Sequence, residues 1–184
     1  MRLVYLRAGV FALPRSGMGF PVADDRRLFE KLCLESFQSG LSWRMILAKR
    51  DNFRTVFHQC DFDRIARFTH RDVERLVGTR ASSAIGARLK RSSTTRRSKE
   101  LVRQEGSFAA YLWRHEPAPK TLANPQGVSK SAASIALSKD LKKRGWSFVG
   151  PTTVHAFMQA MGLINDHAEE CVVRIDVEKG ASAI

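Results

Sequence analysis

From Asp24 onward the apolar positions recur at three-to-four spacing. Leu28, Leu32 and Leu34, with Phe29, Cys33 and Phe37, form one stripe, and Asp24 or Asp25 stands where a helix N-cap is needed. Gly40 ends this helix, and Ser42 opens a second that carries Trp43, Ile46 and Leu47. Residues Asn52 to His58 put Phe53, Val56 and Phe57 on one face, and Asp63 to Phe68 reads as a short helical piece with Ile65 and Phe68. Thr69 opens another helix, with Asp72 three residues on as its capping partner. Residues Ser98 to Trp113 predict one helix, or two shorter ones around Gly106. The prolines at 117, 119 and 125 mark Glu116 to Asn124 as loop. Ser134 to Arg144 is helical, and Thr152 to Leu163 has the clearest late periodicity, turning Val154, Phe157, Met158 and Met161 inward. No segment alternates with strand period and no internal repeat is present, so the predicted fold class is all-α.

At 184 residues the chain fits one domain over its whole length, with enough residues for a real core. A hydrophobic content of 43% and a charged content of 27% are ordinary for a globular protein. The net charge of +13 changes the picture, because so large an excess favours a polyanionic partner, nucleic acid first among them. No stretch reaches the roughly 20 apolar residues of a membrane span. Three widely spaced cysteines make no disulfide framework and fit a reducing cytoplasm.

The segment Cys33-Leu34-Glu35-Ser36-Phe37-Gln38-Ser39-Gly40-Leu41-Ser42-Trp43 sets a carboxylate at the end of an apolar helix and an indole just beyond a glycine turn. A carboxylate and an aromatic face at the lip of a core are what a flat cationic ring requires of its pocket. The plain alternative makes Glu35 a helix-end salt bridge and Trp43 a core residue. Lys142, Lys143 and Arg144 run into Gly145 and are candidates for phosphate contact, a solvated basic face being the equal alternative. His155 reads as a packed histidine, Cys33 as core and Cys60 as a loop thiol.

Four ordered blocks, FPVADDRRLFEKLCLE, QSGLSW, ALSKDLKKRGWSFVGPTT and FMQAMGLINDH, carry a family resemblance. Over roughly residues 20–77 and 98–171 the chain resembles DNA-3-methyladenine glycosylase I, a member of the helix-hairpin-helix glycosylase superfamily. The resemblance implies a single all-α helix-hairpin-helix glycosylase domain acting as a monomer in DNA repair. It also implies hydrolysis of the N-glycosidic bond of 3-methyladenine in double-stranded DNA. Glu35, in the glutamate position of the CLE block, is then the catalytic and base-binding carboxylate, and Trp43 lines the base pocket with it. The resemblance further implies a structural zinc held by two N-terminal and two C-terminal ligands. His167 and Cys171 match the C-terminal pair, but no cysteine precedes Cys33 and no histidine precedes His58, so the N-terminal pair is missing.

Two segments depart from the family pattern. Leu13 to Gly19 replaces a Tyr-His-Asp-x-Glu-Trp-Gly block, and residues 78–97, rich in arginine and free of acidic residues, replace the hairpin. With codons and family variant chosen freely, a DNA string for a family-type hairpin, Gly-Ile-Val-Arg-His-Arg-Gly-Glu-Ile-Glu-Ala and onward, encodes Ala81 to Arg96 without a mismatch when read one base later. A string for the first block, read two bases later, yields Pro14 to Gly19. The reading is that both segments are out of frame and the hairpin is disrupted. Part of the positive charge is then an accident of frame, and the alternative function is an impaired remnant that binds DNA non-specifically through its basic surface.

Overall fold

The computed structural model describes residues 19–38, 42–61, 64–65, 67–69, 71–72, 94–118, 127–168 and 170–181. Every regular element among them is helical. Helix α1 is Asp25–Gln38, α2 is Trp43–Ala48 and α3 is Arg50–Val56; α4 is Thr94–Glu105, α5 is Phe108–Trp113, α6 is Ala132–Lys143, α7 is Pro151–Ala160 and α8 is Arg174–Ala181. The hairpin expectation falls on residues 78–97, where all but the first backbone turn of α4 lies outside the described residues.

Local chemistry sets the boundaries. Asp24 caps α1, its carboxylate accepting from the Arg27 N–H at 2.7 Å, while Ser42 caps α2 through the Met45 N–H at 3.3 Å. Asp25 turns outward to a different helix and accepts from the Phe108 and Ala109 N–H groups at 3.0 and 2.8 Å, joining the start of α1 to the start of α5. Thr69 and Asp72 make the reciprocal cap that their spacing predicts. Gly106, at φ +84°, divides α4 from α5, so the two-helix alternative is the observed one. The end of α6 is a Schellman turn: Gly145 takes φ +82°, and the Gly145 and Trp146 N–H groups return to the carbonyls of Lys142 and Leu141.

Helix α7 lies against both α6 and α1, and α1 also packs on α5. Val154, Phe157 and Met158 are fully buried, as their spacing requires. Phe29 meets Phe108 edge-on, and Trp146 stacks on Phe108 with centroids 5.8 Å apart, locking α1, α5 and the turn after α6 into one core. On the opposite flank of α1, the buried Glu30 accepts hydrogen bonds from Arg50 and Arg54 of α3.

One expectation needs correction. Cys60 is buried rather than a loop thiol. His58, Gln59 and Cys60 all take positive φ, and this left-handed turn carries the sulfur inward, where burial pushes its pKa up to about 12. Leu47 is 44% exposed, because the short α2 buries Ile46 and turns its neighbour to solvent.

Candidate active site

Glu35 and Lys31 are four residues apart on α1 and so share a face, with Gln38 one turn beyond. Trp43 stands at the first position of α2, where the Ser42 cap fixes the entry of the chain. Across from them run Ala156, Gln159 and Ala160 of α7, followed by Asp166 and His167 and roofed by Gly19. Together they line a cavity of about 410 Å³, within the usual range of small-ligand sites.

The polar groups that face the cavity are paired with one another. The Lys31 ammonium lies 2.7 Å from Glu35 Oε1 and 4.2 Å from the centroid of the Trp43 ring. Gln159 Nε2 donates to Asp166 Oδ2 at 2.7 Å. The expected Glu35 and Trp43 therefore meet in one pocket, and the plain alternative also holds in part, since Glu35 does form a helix-end salt bridge. Sequence reasoning missed Lys31, Gln38 and Gln159. The four-residue spacing of Lys31 and Glu35 was a signal for the first; Gln159 reaches the site only through the packing of α7 on α1.

His167 lies deep at the edge of the same cavity. A Cβ placed on Gly19 would fall 2.7 Å from its Nε2, and Gly19 also sits at φ +86°, so only glycine fits this approach. The Gly19 N–H is anchored on the Ala160 carbonyl at 3.0 Å. His167 Nδ1 lies 3.5 Å from Cys171 Sγ, and its Nε2 is buried without a hydrogen-bond partner. This is the pair expected to ligate zinc, but among the described residues no group of three or more metal-ligating side chains exists. Residues 1–18 contain no Cys, His, Asp or Glu to complete it. Two donors do not fit a four-coordinate structural zinc. Nearby His155 is buried; burial lowers its imidazole pKa, with the Asp166 charge opposing, and it is a packed neutral side chain.

The three basic residues at the end of α6 differ from one another. Lys142 and Lys143 are exposed. Arg144 is half-buried and bonded to Asp140, Glu105 and Gln104 at 2.8, 2.9 and 3.2 Å, with its guanidinium 5.0 Å above the Tyr111 ring. Burial favours the neutral Asp140 carboxyl, but hydrogen bonds from Arg144 and from the Tyr111 hydroxyl prevail and hold its pKa below the ordinary value. Arg144 thus ties α6 to α4 and α5.

A family model described as methyladenine glycosylase matches residues 17–174, which includes every residue of the cavity. The chain belongs to the methyladenine glycosylase family. Among its relatives, the DNA-3-methyladenine glycosylase of Haemophilus influenzae is 39% identical over 160 residues, covering 83% of this chain and 85% of the relative. DNA-3-methyladenine glycosylase 1 of Escherichia coli is 40% identical over 158 residues, covering 83% and 84%. A crystal structure of 3-methyladenine DNA glycosylase I superposes with a TM-score of 0.76 at 37% identity, over 91% of this chain and 95% of that one. A variant of 3-methyladenine DNA glycosylase I in complex with 3-methyladenine superposes at 0.75 with 26% identity, over 92% and 94%. The all-α methyladenine glycosylase fold is therefore shared along nearly the whole chain, as the sequence blocks predict.

Proposed function

We propose that this chain is a single-domain DNA-3-methyladenine glycosylase, hydrolysing the N-glycosidic bond of 3-methyladenine in alkylated double-stranded DNA. The observation that carries this reading is the meeting of Glu35 and Trp43 in one base-sized cavity. N3-methylation leaves the purine positively charged, so its glycosidic bond is already weak and the base leaves readily. Recognition and extrusion of the nucleotide then matter more than a strong acid. The flipped purine stacks on Trp43 and presents its edge to the Glu35 carboxylate, which accepts hydrogen bonds and favours the positive ring. Water attacks the anomeric carbon as the base departs. Lys142 and Lys143 face solvent and supply phosphate contacts beside the damaged strand, with Arg144 holding the turn that presents them. Among the described residues no helix is long and apolar enough to cross a membrane, and the three cysteines are unbridged, which fits a monomer working in the reducing cytoplasm. No step uses zinc. The test is chromatography of bases freed from methylated DNA: 3-methyladenine is released and 7-methylguanine is spared, and comparable release of both would count against the narrow pocket.

A second reading rests on the departure of residues 78–97 from the family hairpin, a departure that a freely chosen coding of that hairpin reproduces over Ala81 to Arg96 when read one base later. In it the base pocket is intact while the hairpin that grips DNA phosphates is not, and the chain as written binds DNA through charge alone with little turnover.

A further inference from the structure

The site that a cationic base would fill already contains a cation. The Lys31 ammonium sits 2.7 Å from Glu35 Oε1 and 4.2 Å from the Trp43 ring centroid, with the lysine side chain only 13% exposed. It therefore uses both groups assigned above to the methylated purine, the carboxylate for charge and the indole face for the cation–π contact. A purine stacked on Trp43 and hydrogen-bonded to Glu35 cannot share that space with the ammonium.

We infer that Lys31 is a tethered cation that exchanges with the damaged base, leaving Glu35 when the charged purine enters and returning when its charge is lost. The inference rests on the base-site reading given above. Entry of a cationic base replaces one positive charge on Glu35 with another, so the buried carboxylate is never left bare. An undamaged, neutral purine offers no such replacement, and the Lys31–Glu35 pair stands against it. Hydrolysis then reverses the balance. The bond from the anomeric carbon to the purine nitrogen breaks with its electron pair going to the purine. Water oxygen bonds to that carbon and releases a proton to solvent. The freed base is neutral, its hold on Glu35 weakens, and Lys31 returns to the carboxylate and the ring. One side chain both screens entry and promotes product release. The lysine is well placed for this, since its flexible four-carbon stem allows the ammonium to swing out to solvent without moving α1.

Binding of free 3-methyladenine, followed by quenching of tryptophan fluorescence and by calorimetry, tests this without any need for DNA grip or turnover. Lys31→Met keeps an unbranched apolar stem one atom shorter and removes the charge. It is expected to bind the neutral base about tenfold more tightly than wild type, while Lys31→Arg, which restores a cation over the ring, stays within about twofold of wild type; thermal melts confirm that each variant is folded. Equal or weaker binding by Lys31→Met, or identical behaviour of Lys31→Met and Lys31→Arg, overturns the exchange. If that happens while Trp43→Ala still loses binding, the base site stands and only the role of Lys31 fails. Absence of binding in wild type and Lys31→Met alike removes the base-site reading, and the exchange with it.

Discussion

Glu30 to Gln is the change that most sharply tests how the scaffold holds the pocket helix. Glu30 is 5% exposed on α1, one residue before Lys31, and receives Nε of Arg50 at 2.9 Å and Nε of Arg54 at 2.7 Å on one oxygen. The second Nη of each arginine reaches its other oxygen at 3.4 and 3.2 Å. A charged hydrogen bond of this kind is worth about 1.5–3 kcal/mol. The two arginines keep 44% and 37% exposure, so they rehydrate when released and the full sum is not lost. Glutamine retains one acceptor oxygen but removes the shared counter-charge, leaving Arg54 only the exposed Asp51 at 3.6 Å. The expected loss is roughly 2–3 kcal/mol at pH 7, which moves a urea midpoint down by about 1–1.5 M for a slope near 2 kcal/mol/M. The pH dependence is a second check. Burial alone would raise the Glu30 pKa, but the Arg50 and Arg54 hydrogen bonds prevail and hold it below its ordinary 4.5. Its contribution is therefore fully present above the unfolded-state value and disappears as pH falls through the folded-state one, so the gap between wild type and Glu30→Gln closes in acid. Urea unfolding followed by circular dichroism at pH 7 and near pH 3 measures both. A difference below about 0.5 kcal/mol at pH 7, or one that is unchanged at the acid pH, refutes the clamp.

Three other outcomes follow from single features. Asp25→Ala removes the shared cap of α5 and should cost about 1–2 kcal/mol in the same unfolding assay, whereas Asp24→Ala removes only the local cap of α1 and should cost less. Joint replacement of Lys142 and Lys143 by Gln should flatten the salt dependence of DNA binding by up to about 0.9 in log–log slope per lost phosphate contact; an unchanged slope would remove them from the interface. Purified protein should hold clearly less than one zinc per chain, since His167 and Cys171 are the available pair; stoichiometric zinc that vanishes in Cys171→Ser would show that other donors complete the shell.

Some helix boundaries were legible because each depends on a residue or two, whereas α6 starts at Ala132 under a Ser131 cap rather than at Ser134, and α7 ends at Ala160 rather than Leu163. Asp24, Ser42, the Thr69–Asp72 pair, Gly106 and Gly145 do what their chemistry prescribes. The buried face of α7 followed from spacing alone. What escaped the sequence was contact between distant segments. Glu30 looks like a polar residue on the wrong side of α1 until Arg50 and Arg54 fold back over it. Asp25 looks like a local cap yet serves a helix more than eighty residues away. Helix α8 was not anticipated: only Val173 and Val177 mark its inner side, too few to set a period, and its packing shows at Gly180, where Pro21 carbons lie 3.4 Å from a notional Cβ. In the site, Glu35 and Trp43 were readable because they lie eight residues apart in the sequence. The cation between them depended on the path of the Lys31 side chain, which a linear pattern does not specify.

The most direct measurement of the central claim is the rate of 3-methyladenine release from methylated duplex DNA by two forms of this protein. One is the chain as written, and the other has the reading frame restored across residues 81–96 and 14–19. The restored form should release 3-methyladenine and lose that release in Glu35→Gln, and the chain as written should release it through the same carboxylate; weak, steeply salt-dependent binding with little turnover by the chain as written is instead the outcome of the second reading. Failure of the restored form to release the base, or release undiminished by Glu35→Gln, would contradict the account.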